Sequence, residues 1–315
     1  MKVTRGLTPP ASRPHPVATI GNFDGQHRGH RALLEMVVTA AQRAQGTPVV
    51  LTFDPHPVKI LAPHVDLRFL TSPAEKLARF KEAGVQEVLF LPFTSAFASL
   101  TPTEFASGIL RDGIGIKEIF VGEHFSFGKG RAGKIEDLSR LGGQFGFQVH
   151  PVQPVRFEGD IVSSTRIRQL IQAGEIEKAA RFLGRPYAID GVVIRGRQRG
   201  QALGWPTANL ALPAERVIPP DGVYAATTVW QEQRVDSVAY IGTRPTFGAG
   251  ERMIEVYLLD KDVDLYGQPI TVQFIDRLRG DLVFDTAEAL AVRIEQDVRE
   301  ARTCLRRLSQ AVGAS

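Results

Sequence analysis

Hydrophobic periodicity changes character once along this chain, near Gly184, and no other feature restricts the fold as strongly. Upstream, short β-type runs (Val17 to Ile20, Pro48 to Phe53, Glu87 to Phe93, Lys117 to Gly122) take turns with helical patterns (Arg31 to Gln45, Pro73 to Ala83, Pro102 to Asp112). Strand and helix in alternation predict a parallel sheet with helices on both faces, which binds ligands at the carboxyl ends of its strands. Downstream, five runs rich in Val, Ile, Thr and aromatics follow one another: Tyr187 to Arg195, Gly222 to Trp230, Val235 to Ile241, Met253 to Leu259 and Ile270 to Leu278. These predict a small antiparallel barrel, closed by one amphipathic helix with its stripe at Leu290, Ile294, Val298, Ala301 and Leu305. The chain of 315 residues is long enough for two such domains, expected at 1–183 and 184–315.

The segment Gly21-Asn22-Phe23-Asp24-Gly25-Gln26-His27-Arg28-Gly29-His30 sits where the first strand ends. A glycine there permits a tight turn, and the helix that follows offers unpaired N–H groups and a positive dipole end to an anion. His27 and His30 at its mouth are placed to donate hydrogen bonds to phosphate oxygens as charge builds up. Gly21, Phe23, Asp24 and Gly25 form the turn that shapes this candidate phosphate-binding segment.

Three further stretches of the first half suit nucleotide chemistry. Thr52-Phe53-Asp54-Pro55-His56-Pro57 carries a carboxylate and an imidazole on a proline-stiffened loop, and a structural turn explains it equally well. The loop from Val121 and Gly122 through His124, Phe125, Phe127, Lys129 and Arg131 to Gly133 mixes glycines, aromatics and cations that suit a flat heterocycle beside phosphates. Ser163-Ser164-Thr165-Arg166-Ile167-Arg168 opens a helix to Gln172, with hydroxyls at the cap and first turn and two arginines just inside.

The second half has its own glycine-rich stretch, from Gly196 through Arg199, Gly200, Gly204 and Pro206 to Thr207 and Asn209. It is neither a Walker loop nor a dinucleotide fingerprint, yet its amides can approach phosphate, and Thr207 with Asn209 offers two neutral oxygen ligands for Mg²⁺. Glu255 interrupts the apolar run Ile254 to Tyr257. It is a candidate general base for a hydroxyl attacking a γ-phosphate, although alternation alone favours an outward-facing strand position.

Net charge is +4, and the basic residues are dispersed or embedded in glycine-rich motifs, so small phosphorylated ligands are expected rather than nucleic acid. One cysteine, Cys304, excludes an intrachain disulfide framework, and its place on the final apolar stripe predicts a packed thiol. No segment has the apolar length of a membrane span and the N-terminus lacks an apolar signal core, so a cytoplasmic protein is expected.

In order, the segments GNFDGQHRGH, TFDPHP, FASLTPTEF, VGEHFSFG, SSTRIR, LGRPY, RGQALGWPTANL, GVYA, IGTRPTFG, IEVYLLD and DLYG resemble the bacterial bifunctional riboflavin kinase/FAD synthetase family over nearly the whole length. The resemblance implies an N-terminal nucleotidyltransferase-type, Rossmann-like α/β domain that makes FAD from FMN and ATP. It also implies a C-terminal β-barrel kinase that makes FMN from riboflavin and ATP. It assigns ATP-phosphate contacts to His27 and His30, completion of that pocket to Ser164, Thr165, Arg166 and Arg168, Mg²⁺ and nucleotide to Thr207 and Asn209, and base catalysis to Glu255. Gln26, His124, Gln201 and Trp205 depart from the usual family spelling. One alternative stays open: a nucleotidyltransferase for another small phosphate ester, with the barrel as a regulatory flavin binder.

Overall fold

The computed structural model describes residues 1–7, 13–195, 205–243, 252–261 and 263–313. It divides into two compact units, 1–67 with 73–163, and 68–72 with 164–315. The segment 164–183 groups with the second unit.

Strands of the first unit are β1 (Lys2–Arg5), β2 (Pro16–Ile20), β3 (Thr47–Phe53), β4 (Glu87–Leu91), β5 (Glu118–Gly122) and β6 (Gln148–Val152), followed by a small hairpin of β7 (Arg156–Phe157) and β8 (Asp160–Ile161). The first six form one sheet in the order β1-β4-β3-β2-β5-β6, with every neighbouring pair parallel. The expected parallel sheet is present and gains two edge strands, β1 and β6. Neither is a run of apolar residues: β1 is KVTR and β6 is QVHPV, as an edge strand with one partner permits.

The helices of this unit are α1 (Arg28–Arg43), α2 (Pro57–Leu61), α3 (Pro73–Glu82), α4 (Ser95–Ala98), α5 (Pro102–Glu104) and α6 (Ile135–Phe145). Central strands are buried on both faces, and pleat alternation divides their side chains between two cores. Val49 and Leu51 of β3 pack with Leu110, Leu138 and Leu141 on one face. Val50 packs with Leu33, Leu34 and Phe80 of α1 and α3 on the other. Helix α5 starts at Thr101 in a reciprocal cap: the Glu104 amide donates to Thr101 Oγ1 at 3.2 Å and the Thr101 amide to Glu104 Oε2 at 2.8 Å. Past Glu104 the expected helix widens to a π-type turn over Phe105–Ile114, ending at Gly115 in the left-handed region.

The second unit contains α7 (Ser164–Ala173), α8 (Ile176–Leu183), β9 (Tyr187–Ile194), β10 (Ala208–Ala211), β11 (Gly222–Trp230), β12 (Gln233–Thr243), β13 (Arg252–Leu258), β14 (Pro269–Gly280) and α9 (Ala287–Gly313). Its strands close into a barrel in the order β10-β13-β12-β11-β14-β9. All its pairings are antiparallel. The sequence reading found five of the six strands. The sixth, β10, is four residues long and overlaps the end of the glycine-rich stretch, yet it closes the barrel by pairing with both β13 and β9.

Helix α9 lies on the outside of the barrel, where Val298, Ala301 and Leu305 pack against Ala225, Leu259 and Ile275. Buried Asp297 anchors it, accepting from Arg279 of β14 at 2.7 Å and from Arg293 at 2.9 Å. Cys304 packs beside this cluster, and burial raises its thiol pKa. The thiol is packed, as its place on the apolar stripe predicts, and the raised pKa keeps it protonated.

Candidate active sites

In the first unit β2 lies between β3 and β5. The chain leaves β2 through α1 toward β3 on one side and leaves β5 through α6 toward β6 on the other, so a crevice opens between the carboxyl ends of β2 and β5. Gly21 and Gly122 stand at those two ends. The Gly21 amide donates to Leu51 O at 3.0 Å, which holds the turn to the sheet. Phe23, Gly25 and Gln26 then take positive φ values of 49°, 81° and 37°. Two non-glycine residues in that region need compensation, and each is pinned. The buried Phe23 ring packs edge-on against Phe80 at 5.4 Å, and Gln26 Nε2 donates to the Lys76 carbonyl at 2.7 Å.

This turn delivers His27 to the N-cap of α1, where its Nδ1 accepts from the His30 amide at 3.3 Å. An acceptor at Nδ1 leaves the ring proton of a neutral imidazole on Nε2. The two rings stack with centroids 3.8 Å apart and planes at 14°, and Phe23 supports His30 from 5.1 Å. Burial first, then the charges of His27 and Lys76, hold the His30 pKa well below its ordinary value. His30 is therefore a neutral donor at neutral pH. Its Nδ1 is buried without a hydrogen-bond partner among the described residues, as is Asn22 Oδ1. Such orphaned atoms in a polar cleft mark a place where a ligand completes the network.

One charged group of this site gave no sequence signal. Lys76 on α3 donates to Thr52 Oγ1 at 3.2 Å. Burial lowers its pKa to about 8 against the opposing pull of Asp24 and Asp54. Only the fold reveals it, because α3 reads as an ordinary amphipathic helix.

The other stretches divide between structure and site. His56 caps α2, accepting from the Val58 amide at 3.2 Å, and Asp54 pairs with Arg5 at 2.6 Å. In the loop after β5, Phe127 is buried against Phe105 at 5.4 Å, so this ring belongs to the core and not to a heterocycle. Gly122 has open space where a Cβ would stand, and His124 is exposed. Ser164, Thr165, Arg166 and Arg168 lie in the first turns of α7, in the second unit. There Arg168 Nε donates to the Arg68 carbonyl at 2.8 Å.

The second candidate site is a row across three strands. Asn209 of β10 pairs directly with Glu255 of β13, which pairs with Tyr240 of β12. Ile254 and Val256 are fully buried, whereas Tyr257, on the same face as Glu255, packs against the outer cluster under α9. Glu255 thus points outward, as alternation alone favoured, but is half-buried among polar neighbours. Thr207 Oγ1 lies 3.5 Å from Glu255 Oε2, and the buried Asn209 Oδ1 has no partner among the described residues.

The Tyr240 hydroxyl donates to Asp281 Oδ1 at 3.0 Å. Burial, that bond and the nearby charges of Asp281, Glu255 and Asp221 push the phenol far above its ordinary pKa, so it remains a donor. Gly242 makes this placement possible, since a Cβ there would lie 2.1 Å from the Tyr240 hydroxyl oxygen. Thr207, Asn209 and Pro206 line a cleft of about 690 Å³ with Lys261, Asp264 and Tyr266, a volume suited to a nucleotide. The expected phosphate-binding residues Gly196, Arg199, Gly200 and Gly204 lie outside the described residues. Among the described residues no helix is long and apolar enough to cross a membrane.

Comparison with known proteins separates the two halves along the same lines. Residues 10–166 match the family model described as FAD synthetase, and residues 183–305 match the one described as riboflavin kinase. A bifunctional riboflavin kinase/FMN adenylyltransferase of Pseudomonas fluorescens is 40% identical, the match covering 91% of this chain and 92% of the relative. One of the same description from Escherichia coli strain K12 is 37% identical over 96% of this chain and 97% of its own. A crystal structure from Streptococcus pneumoniae, described as a macrolide-efflux protein, superposes with a TM-score of 0.86 at 33% identity, covering 96% of this chain and 99% of that one.

Proposed function

The chain belongs to the bifunctional riboflavin kinase/FMN adenylyltransferase family, and on that premise we propose that it converts riboflavin to FMN in its barrel and FMN to FAD in its α/β domain, each with ATP. The division 1–183 and 184–315 belongs to this proposal. The observation that carries it is the pairing, in one chain, of a carboxylate site with a histidine site, because the two reactions need different help.

In the kinase reaction the nucleophile is a neutral ribityl hydroxyl. Glu255 accepts its proton as the hydroxyl oxygen bonds to the γ-phosphorus and ADP leaves. Thr207 and Asn209 line the nucleotide-sized cleft, Thr207 Oγ1 lies 3.5 Å from Glu255 Oε2, and the Thr207 hydroxyl with the buried Asn209 Oδ1, which has no partner among the described residues, offers the oxygen donors that a hard cation takes. Thr207 and Asn209 would hold Mg²⁺, which would supply charge neutralisation on the transferring phosphate. Gly196, Arg199, Gly200, Gly204 and Pro206 are assigned to the nucleotide phosphates on the strength of the family resemblance.

In the adenylyl transfer the FMN phosphate is already an anion and needs no base. Its oxygen bonds to the α-phosphorus of ATP, the bond to the β-phosphate oxygen breaks, and pyrophosphate leaves. Positioning and neutralisation suffice, and hydrogen-bond donors on His27 and His30 at the N-terminus of α1, the latter a neutral imidazole, serve both. Gly21, Phe23, Asp24, Gly25 and Gly122 shape the crevice, and Ser164, Thr165, Arg166 and Arg168 are assigned to ATP in the same reaction. A cytoplasmic location accords with substrates of this kind.

The test is a time course of the purified chain with riboflavin and Mg-ATP, in which riboflavin, FMN and FAD are separated chromatographically. FMN is expected first and FAD after a lag. FMN that accumulates with no FAD would remove the adenylyl-transfer assignment, and absence of any flavin product would remove both.

A further inference from the structure

Lys76 is a charged group at the His27–His30 crevice that the mechanism above leaves unused. Its helix faces the crevice through one surface: Phe80, one turn on from Lys76, packs edge-on against Phe23, and Phe23 in turn packs against His30. The Lys76 carbonyl receives the Gln26 side chain, and its ammonium reaches Thr52 Oγ1 at the end of β3. The ammonium is thus held between the carboxyl ends of β2 and β3, close enough to His30 for their charges to interact. We propose that Lys76 is a further catalytic residue of adenylyl transfer, its ammonium contacting the triphosphate of ATP and neutralising the charge that gathers on the departing pyrophosphate. This rests on the reading of the first unit as the adenylyltransferase.

The geometry explains why a lysine here would serve. Among the described residues no carboxylate accepts a hydrogen bond from its ammonium, which donates to a neutral hydroxyl, so an arriving phosphate can exchange with Thr52 without breaking an ion pair. The titratable and charged groups around it are the Asp24 carboxylate after β2, the Asp54 carboxylate after β3, paired to Arg5, and the His30 imidazole of α1. On its own helix, Glu75 is paired with Arg79. Burial outweighs the two carboxylates and brings the ammonium to about 8, so it is charged at neutral pH and loses its proton as pH rises through that value. A bound polyanion reverses the balance and draws a proton in.

The experiment uses the full chain and its Lys76→Met and Lys76→Arg variants, with riboflavin phosphorylation as the control for folding. Lys76→Met is expected to slow FAD formation from FMN and Mg-ATP by about a hundredfold, as loss of one preorganised donor does, with FMN formation unchanged. For the wild type, kcat/KM for ATP in FAD formation is expected to fall above pH about 8, and this alkaline limb disappears in Lys76→Arg, because a guanidinium stays charged. Binding of Mg-pyrophosphate at pH 8.5, followed calorimetrically in two buffers of different ionisation enthalpy, should take up roughly half a proton or more in the wild type and none in Lys76→Met. At that pH the His30 imidazole is neutral and contributes nothing. FAD formation within about threefold of wild type in Lys76→Met, or an alkaline limb that Lys76→Arg leaves in place, would overturn the assignment while leaving the adenylyltransferase reading intact. Conversely, no FAD from the wild type together with Lys76-dependent proton uptake on pyrophosphate would overturn that reading and keep Lys76 as an anion-binding residue.

Discussion

Replacing Glu255 with Gln is expected to lower kcat for riboflavin phosphorylation by about a thousandfold, in the range general bases supply, while FAD formation from supplied FMN stays within about twofold. The substitution preserves shape and strand pairing, with Asn209 on one side and Tyr240 on the other, and removes only the capacity to accept a proton. The protonated Tyr240 phenol cannot replace it, because burial and the carboxylates around it keep its proton in place. The KM for riboflavin should change little, since the carboxylate acts on the reacting hydroxyl as charge develops. Product assays with each flavin supplied separately check this. Loss of both activities in a folded variant would end the separate-site assignment, and kinase activity within tenfold of wild type would end the role of Glu255 as base.

His30→Ala is expected to produce the mirror image: FAD formation from FMN falls by about 10² to 10³, the cost of one preorganised donor in a water-poor site, with riboflavin phosphorylation unchanged. His30 also packs on Phe23 and stacks on His27, so His30→Asn, which keeps a donor, separates chemistry from packing. It should recover part of the rate. At His27 the informative variant is His27→Asn, because an alanine would remove the α1 N-cap as well, at about 1 kcal/mol. Equal losses in Ala and Asn variants of His30, with an unfolding midpoint that drops in parallel, would mean that the residue holds the turn together and does not act on phosphate.

Periodicity made both layers of the fold legible because they rest on long buried runs. The all-buried β2 and the interior of β3 could only be central strands of a two-faced sheet. Edge elements were missed for a physical reason. Strands β1 and β6 have one partner each and carry polar residues, and β10 is too short for alternation to register, although it sets Asn209 opposite Glu255.

At the sites, residues that act through backbone geometry or local capping were readable: Gly21, His27 and His30 announce a strand, a turn and a helix start. Residues whose role depends on two distant elements meeting were not. Lys76 looks like any solvated helix lysine until α3 is packed against β3, and Tyr240 looks like a strand aromatic until Gly242 lets its hydroxyl cross to Asp281. Glu255 illustrates the limit of alternation. It faces outward as the pattern said, yet outward here is a polar site and not bulk water.

The most direct test of two independent sites joined by diffusing FMN is a mixing experiment. Glu255→Gln and His30→Ala proteins are incubated with riboflavin and Mg-ATP, first singly and then together, and FAD is quantified. Alone, the first should make almost no flavin product and the second should stop at FMN. Together they should make FAD, because FMN released by the His30 variant is adenylylated by the Glu255 variant. A mixture that stays without FAD, although the Glu255 variant adenylylates added FMN, would contradict free passage of FMN between separate sites.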